Sequence, residues 1–220
     1  MSRAALLVLA DGRFPAGGHA HSGGAEPAVR EGRIRDAAGL ADFCRGRLHT
    51  TALTSAALAA AAALGHDPVE LDRAADARTP SPALRGAARK LGRQMMRAAR
   101  AAWPGPELDA LAAAFPRGTH QPIVLGTAAR AAGLGPYDAA HCVVYESVSG
   151  PATAALRLLS LDPFQATAVL ARLAPEMDEV AARAAAAAHE GMDALPAASA
   201  PLLDITAEQH TTWPVRLFAS

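Results

Sequence analysis

Ser81-Pro-Ala-Leu-Arg-Gly-Ala-Ala-Arg-Lys-Leu-Gly-Arg-Gln-Met-Met-Arg-Ala-Ala-Arg-Ala-Ala102 is the stretch that decides the fold class. At 100° per residue, Leu84, Ala88, Leu91 and Met95 fall on one side, and Arg85, Arg89, Lys90, Arg93, Arg97 and Arg100 on the other, the signature of an amphipathic helix. Its start is a serine cap followed by proline at the first helical position, where the missing N–H costs nothing. No acid lies between Arg78 and Glu107, so this helix carries a cationic face. Such a face is either simply solvated or a surface for an acidic protein or a nucleic acid.

The same start device recurs on both sides. Asp67-Pro-Val-Glu70 and Asp162-Pro-Phe-Gln165 each place an acid at the cap, proline next, and Glu or Gln at the third helical position. Gly65, Gly133 and Gly191 stand where helices should stop, and Trp103-Pro104, Phe115-Pro116 and Leu195-Pro196 break what precedes them. The pattern predicts helices over 3–10, 22–31, 36–64, 68–77, 82–102, 106–114, 122–132, 136–160, 163–173 and 176–189, with a kink or split at Gly150-Pro151. Strand patterns are absent and connections are short. The expected architecture is one all-α bundle of about ten helices spanning 1–220, without significant β-sheet.

Composition narrows the function classes. Of 220 residues 51% are hydrophobic, enough for a real core, while aromatics supply only 4%, so that core must be alanine and leucine packing. Lysine plus arginine balances aspartate plus glutamate at 21 each, which points to neither a nucleic-acid binder nor an acidic-surface protein. Cys44 and Cys142 lack metal spacing and read as small core residues of a reducing compartment. The apolar run before Asp11 is too short to span a bilayer and has no cleavage pattern, so the expected location is the cytoplasm, with no membrane contact. Helical nucleic-acid readers place Asn, Gln, Ser or Arg on an exposed helix start, and Ser81-Pro-Ala-Leu84 is poor in these, so no nucleic acid is expected as partner.

The chemistry-bearing stretch is Asp11-Gly-Arg-Phe-Pro-Ala-Gly-Gly-His-Ala-His-Ser-Gly-Gly-Ala-Glu26. Glycines 12, 17, 18, 23 and 24 permit close backbone approach and Pro15 fixes a turn, making a shaped backbone surface. A phosphate loop would need Gly-Lys-Ser/Thr after its glycines, and none follows. His19 and His21, two apart, would point the same way in an extended segment and could share one Ni or Zn ion, yet two imidazoles are half a site. Bonding to loop carbonyls is the plainer reading of both. His21, Ser22 and Glu26 could form an acid–base constellation, as an all-α enzyme would require, but adjacency in sequence does not assemble a triad. No catalytic residue is assigned.

In its order of motifs the chain resembles the urease accessory protein F (UreF) family. Leu-Ala-Asp11, Phe14-Pro-x-Gly-Gly-His-Ala-His-Ser-Gly-Gly-x-Glu26 and Glu31-Gly-Arg-Ile34 look like its N-terminal signature. Gly118-Thr-His-Gln-Pro-Ile-Val-Leu-Gly126, Arg157-Leu-Leu, Pro201-Leu-Leu-Asp-Ile205, His210 and Arg216-Leu-Phe-x-Ser220 are similar to its later segments. His19, Pro27, Thr211 and Ala219 depart from the family pattern. The resemblance implies a homodimeric, non-enzymatic scaffold that binds UreD (also called UreH), recruits the GTPase UreG to apo-urease and supports nickel insertion. It implies no stably bound cofactor: nickel is handled by the assembled complex and GTP is bound by UreG. Partner contacts are expected from Pro15, Gly17, Gly18, His21, Ser22, Gly23, Gly24 and Glu26 of the loop (11–24 and the residues after it), and from Arg216, Leu217 and Phe218 of a tail, 211–220, expected to be mobile.

Overall fold

The computed structural model describes residues 3–219. Among them every regular element is helical: α1 (Arg3–Ala10), α2 (Ala25–Arg30), α3 (Ala37–Arg47), α4 (Leu53–Leu64), α5 (Pro68–Ala77), α6 (Pro82–Ala102), α7 (Pro106–Ala114), α8 (Gln121–Ala131), α9 (Pro136–Leu159), α10 (Pro163–Glu190) and α11 (Pro201–Thr211), with short turns between. The all-α class and the bundle are as the patterning implies. The caps work as their residue types dictate: Asp67 accepts from the amides of Val69 at 2.7 Å and Glu70 at 3.4 Å, Ser81 Oγ from Leu84 N at 3.1 Å, and Asp162 from Phe164 N at 2.9 Å. No described helix is long and apolar enough to cross a membrane.

Helix α4 is the axis of the core and packs against α8, α9 and α10. Its run from Ala56 to Ala63 is buried almost entirely. Small side chains bury little area each but let helix axes approach closely. The contact with α8 is tight enough that a Cβ on Gly126 would lie 2.1 Å from the Ala59 carbonyl oxygen. Cys44 and Cys142 are buried free thiols, and burial pushes both up, Cys44 to about 11, which keeps them protonated and inert.

Five sequence expectations are corrected. The helix expected over 36–64 contains a π turn at Leu48–Ala52, where the Thr50 hydroxyl donates to Gly46 O at 2.7 Å and competes for the helical carbonyls. The helices expected at 163–173 and 176–189 are one, because a single buried stripe, Val169, Leu173, Met177, Val180 and Ala184, runs past Pro175 and outweighs the one lost hydrogen bond. Helix α9 likewise does not split at Gly150-Pro151, with Pro151 buried in its face. Helix α11 lies outside the expected set, although Pro201 at its first position and Asp204 in its first turn are legible start signals. The helix expected at 22–31 begins at Ala25, and Pro27 sits in its first turn, where no amide is needed.

Gly126→Ala should overpack the α4–α8 contact and lower unfolding stability by about 1–3 kcal/mol. Urea denaturation of the two proteins measures this directly, and an unchanged midpoint would mean that the helices separate freely there.

Candidate functional site

The glycine loop is fixed by its own backbone and by four neighbouring elements. Gly17, Gly23 and Gly24 take φ of 84°, 59° and 87°, values that L side chains adopt rarely. Two of these also face neighbours closely: an added Cβ would lie 1.5 Å from Gln94 Oε1 at Gly17 and 2.9 Å from Leu203 Cδ2 at Gly24. Gly18 differs, with open space around its Cβ position and no positive φ. The steric requirement expected of all these glycines therefore holds for Gly17, Gly23 and Gly24 and not for Gly18. Phe14 stacks on Trp103 with ring centroids 5.8 Å apart. Arg47, which belongs to no sequence motif, donates to Gly23 O at 2.7 Å and to Ser147 O at 3.2 Å, so one guanidinium joins the loop to α9.

Glu26 is the hub. Its residue is only 8% exposed, and a carboxylate so placed must be compensated by hydrogen bonds. Its amide donates to Ser22 Oγ at 3.2 Å. Its Oε1 accepts from Leu217 N at 2.7 Å, and its Oε2 from Phe218 N at 3.0 Å and from His210 Nε2 at 3.0 Å. Because a carboxylate only accepts, the His210 ring presents its Nε2–H there. One buried side chain thus ties α2 to α11 and to the last residues of the chain.

Of the segment 211–220, expected to be mobile, residues 211–219 are placed against the body. Phe218 is 5% exposed, the Arg157 guanidinium lies 4.9 Å from its ring centroid, and Ala219 N donates to Ala20 O at 2.7 Å. Trp213 meets the His210 ring edge-on at 4.7 Å while Arg30 sits 4.1 Å above it. The physical reason is that Glu26 offers two acceptors to adjacent tail amides, a charge-assisted arrangement stronger than neutral pairs. Ser220 lies outside the described residues. Between these anchors Val215, Arg216 and Leu217 face outward, and Leu202 and Ile205 of α11 are exposed as well.

Residues grouped by sequence reasoning separate into two roles. Pro15, Gly18, His19, Arg216 and Leu217 are exposed, whereas Ser22, Glu26 and Phe218 are buried and hold the others in position. His21 is half-buried, and burial, reinforced by the charge of Lys90, lowers its proton affinity and favours the neutral ring. The Glu26 carboxylate is committed to His210 and the tail, so the triad considered for His21, Ser22 and Glu26 is not assembled through it. No group of three or more His, Cys, Asp or Glu among the described residues is arranged to hold a metal ion.

Behind the loop lies a cavity of ≈ 450 Å³ whose wall includes His21, Arg47, Gln121, Glu146 and Arg157. Gln121 Nε2 donates to Glu146 Oε2 at 3.0 Å, yet burial prevails and pushes Glu146 up to about 7. A carboxyl raised in the folded state binds its proton there more tightly than in the unfolded chain, so ionising it costs stability as pH climbs from the ordinary 4.5 through about 7. Glu146→Gln should therefore flatten the fall in stability across that window, gaining most above it. Chemical denaturation at pH 5 and pH 8 tests this: an equal effect of the substitution at both would show that Glu146 ionises without penalty.

The family model for UreF matches residues 34–174. Relatives match across the loop and the tail as well. The urease accessory protein UreF of Mycolicibacterium vanbaalenii is 44% identical over 223 residues, covering 100% of this chain and 99% of its own length. That of Mycobacterium sp. (strain JLS) is 45% identical, covering 98% and 97%, and that of Mycobacterium tuberculosis 40% identical, covering 100% and 99%. Identity at this level over whole chains, on an all-α fold that joins the glycine loop to the Arg-Leu-Phe tail, places the chain in the urease accessory protein UreF family.

Proposed function

We propose that the protein is a non-enzymatic scaffold of urease maturation in the cytoplasm. It forms a homodimer, binds UreD/UreH and, with it, recruits the GTPase UreG to apo-urease. Nickel is cargo of the assembled complex, and GTP belongs to UreG. What supports this reading is the seating of the tail: Glu26 holds two consecutive amides, so Arg216 and Leu217 are presented at the surface beside the glycine loop without depending on a partner to order them. A preordered apolar and cationic pair costs less conformational entropy on binding than a free tail would. Buried Ser22, Glu26 and Phe218 and half-buried Gly24 support that surface, and exposed Pro15, Gly18, Arg216 and Leu217 form it.

The geometry also selects the substitutions. Deleting 211–220 would remove Phe218 from its pocket and strip Glu26 of its partners, so it would confound folding with binding. Gly18→Val and Arg216→Ala touch exposed positions and leave every described tertiary hydrogen bond in place. Each should keep full helicity while weakening capture of UreD/UreH, and Arg216→Ala should weaken UreG recruitment, by about tenfold or more, as for truncation of an interface anchor. Pull-down with purified partners, read beside circular dichroism, decides this. Undiminished assembly by both variants would remove the loop and tail from the interface.

A further inference from the structure

The cationic face of α6 has two populations of charge. Arg89 is neutralised by Asp72 at 2.7 Å and Asp76 at 2.8 Å, and Arg100 by Asp109 at 2.7 Å. Arg85 donates to the carbonyls of Thr79 at 2.7 Å and Pro80 at 2.9 Å and interacts electrostatically with the Glu208 carboxylate. Lys90, Arg93 and Arg97 remain, and among the described residues none of the three has a carboxylate within ion-pair distance. Arg93 donates to the Arg117 carbonyl at 2.8 Å, which leaves its charge uncompensated.

These three line one cleft of ≈ 460 Å³ between α6 and the segment joining α7 to α8, and no acid contributes to its wall. The floor is apolar, formed by Met96, Phe115 and Val124. The walls are fixed rather than collapsible. A Cβ on Gly92 would lie 2.1 Å from the Thr119 carbonyl oxygen, and one on Gly118 would lie 2.5 Å from Arg93 Cγ, while Thr119 Oγ1 donates to Asp72 at 2.6 Å. A cationic helix face that needed only solvation would not require an apolar trough held open beneath it.

We infer that this cleft binds an acidic segment of a partner protein, with carboxylates on Lys90, Arg93 and Arg97 and one bulky apolar side chain on the Met96–Phe115 floor. Seven residues of helix span about 10 Å, the reach of three or four residues of extended peptide. Charge complementarity selects the occupant. Single-stranded nucleic acid is disfavoured because stacking successive bases needs several aromatics, and the cleft offers Phe115 alone. Exposed Lys90 also lines a smaller cavity with Ala219 of the tail, so the cleft adjoins the Glu26-held segment without sharing its hydrogen bonds.

The test uses the full chain and a fluorescein-labelled Glu-Glu-Leu-Glu-Glu peptide, followed by anisotropy, with the Gln-Gln-Leu-Gln-Gln peptide and a labelled single-stranded oligonucleotide as comparators. The acidic peptide should bind more tightly than the other two, and weaken as salt is raised. Lys90→Gln/Arg93→Gln/Arg97→Gln should lose about tenfold in affinity, the sum of three exposed charge contacts. Lys90→Gln/Arg97→Gln, which disturbs no described hydrogen bond, should lose an intermediate amount and guards against misfolding of the triple variant. Affinity no better than for the glutamine peptide, equal binding by the variants, or tighter binding of the oligonucleotide would each overturn the assignment.

Discussion

A buried carboxylate is the constraint on which the loop-and-tail end of this molecule depends. Glu26 stands in the first turn of a six-residue helix too short to be stable alone, and its burial is tolerable only because His210, Leu217 N and Phe218 N converge on it. Each partner comes from a distant part of the sequence. Removing any one of them leaves the carboxylate under-compensated, and removing the carboxylate leaves two amides, the Phe218 one buried, and a buried imidazole without an acceptor. The loop, α11 and the tail therefore form one cooperative unit, in which exposed residues are held by buried ones.

The body beneath that unit is built differently. Alanine and glycine let α4 and α8 come close enough that a methyl group would collide with backbone, and specificity comes from which positions are small. This explains how a chain with few aromatics keeps Phe14, Trp103, Trp213 and Phe218 for tying the loop and tail to that body, through ring stacking and cation contacts. It also explains why α6 can carry so many cations. Its inner face needs only Gly92, Met95, Ala98 and Ala99 to pack, leaving the outer face open to other uses.

Helix starts marked by an acid or serine before proline were legible because capping is local chemistry, and Asp67, Ser81 and Asp162 all behave as their residue types imply. What the sequence hid was set by tertiary contact. Pro175 reads as a terminator until the buried stripe of α10 is seen to cross it. Pro201 and Asp204 mark a start, yet the apolar residues of α11 are not confined to one side, so no stripe announces the helix, and Leu202 and Ile205 remain exposed. The glycine loop and the Arg-Leu-Phe tail were recognisable as motifs, but nothing in their spacing placed Glu26 against residues almost two hundred positions away. Arg47 carried no signal at all, since its role is to bridge two carbonyls that only the fold brings together.

Glu26 holds the tail in the free protein, and amide hydrogen exchange reads that interaction at its own atoms. The Leu217 and Phe218 amides should exchange well below the rate of an unstructured peptide in the isolated chain, and Glu26→Ala should return both to that rate while the α4 amides remain protected. Exchange of Leu217 and Phe218 at the unstructured rate in the unmodified protein would contradict it.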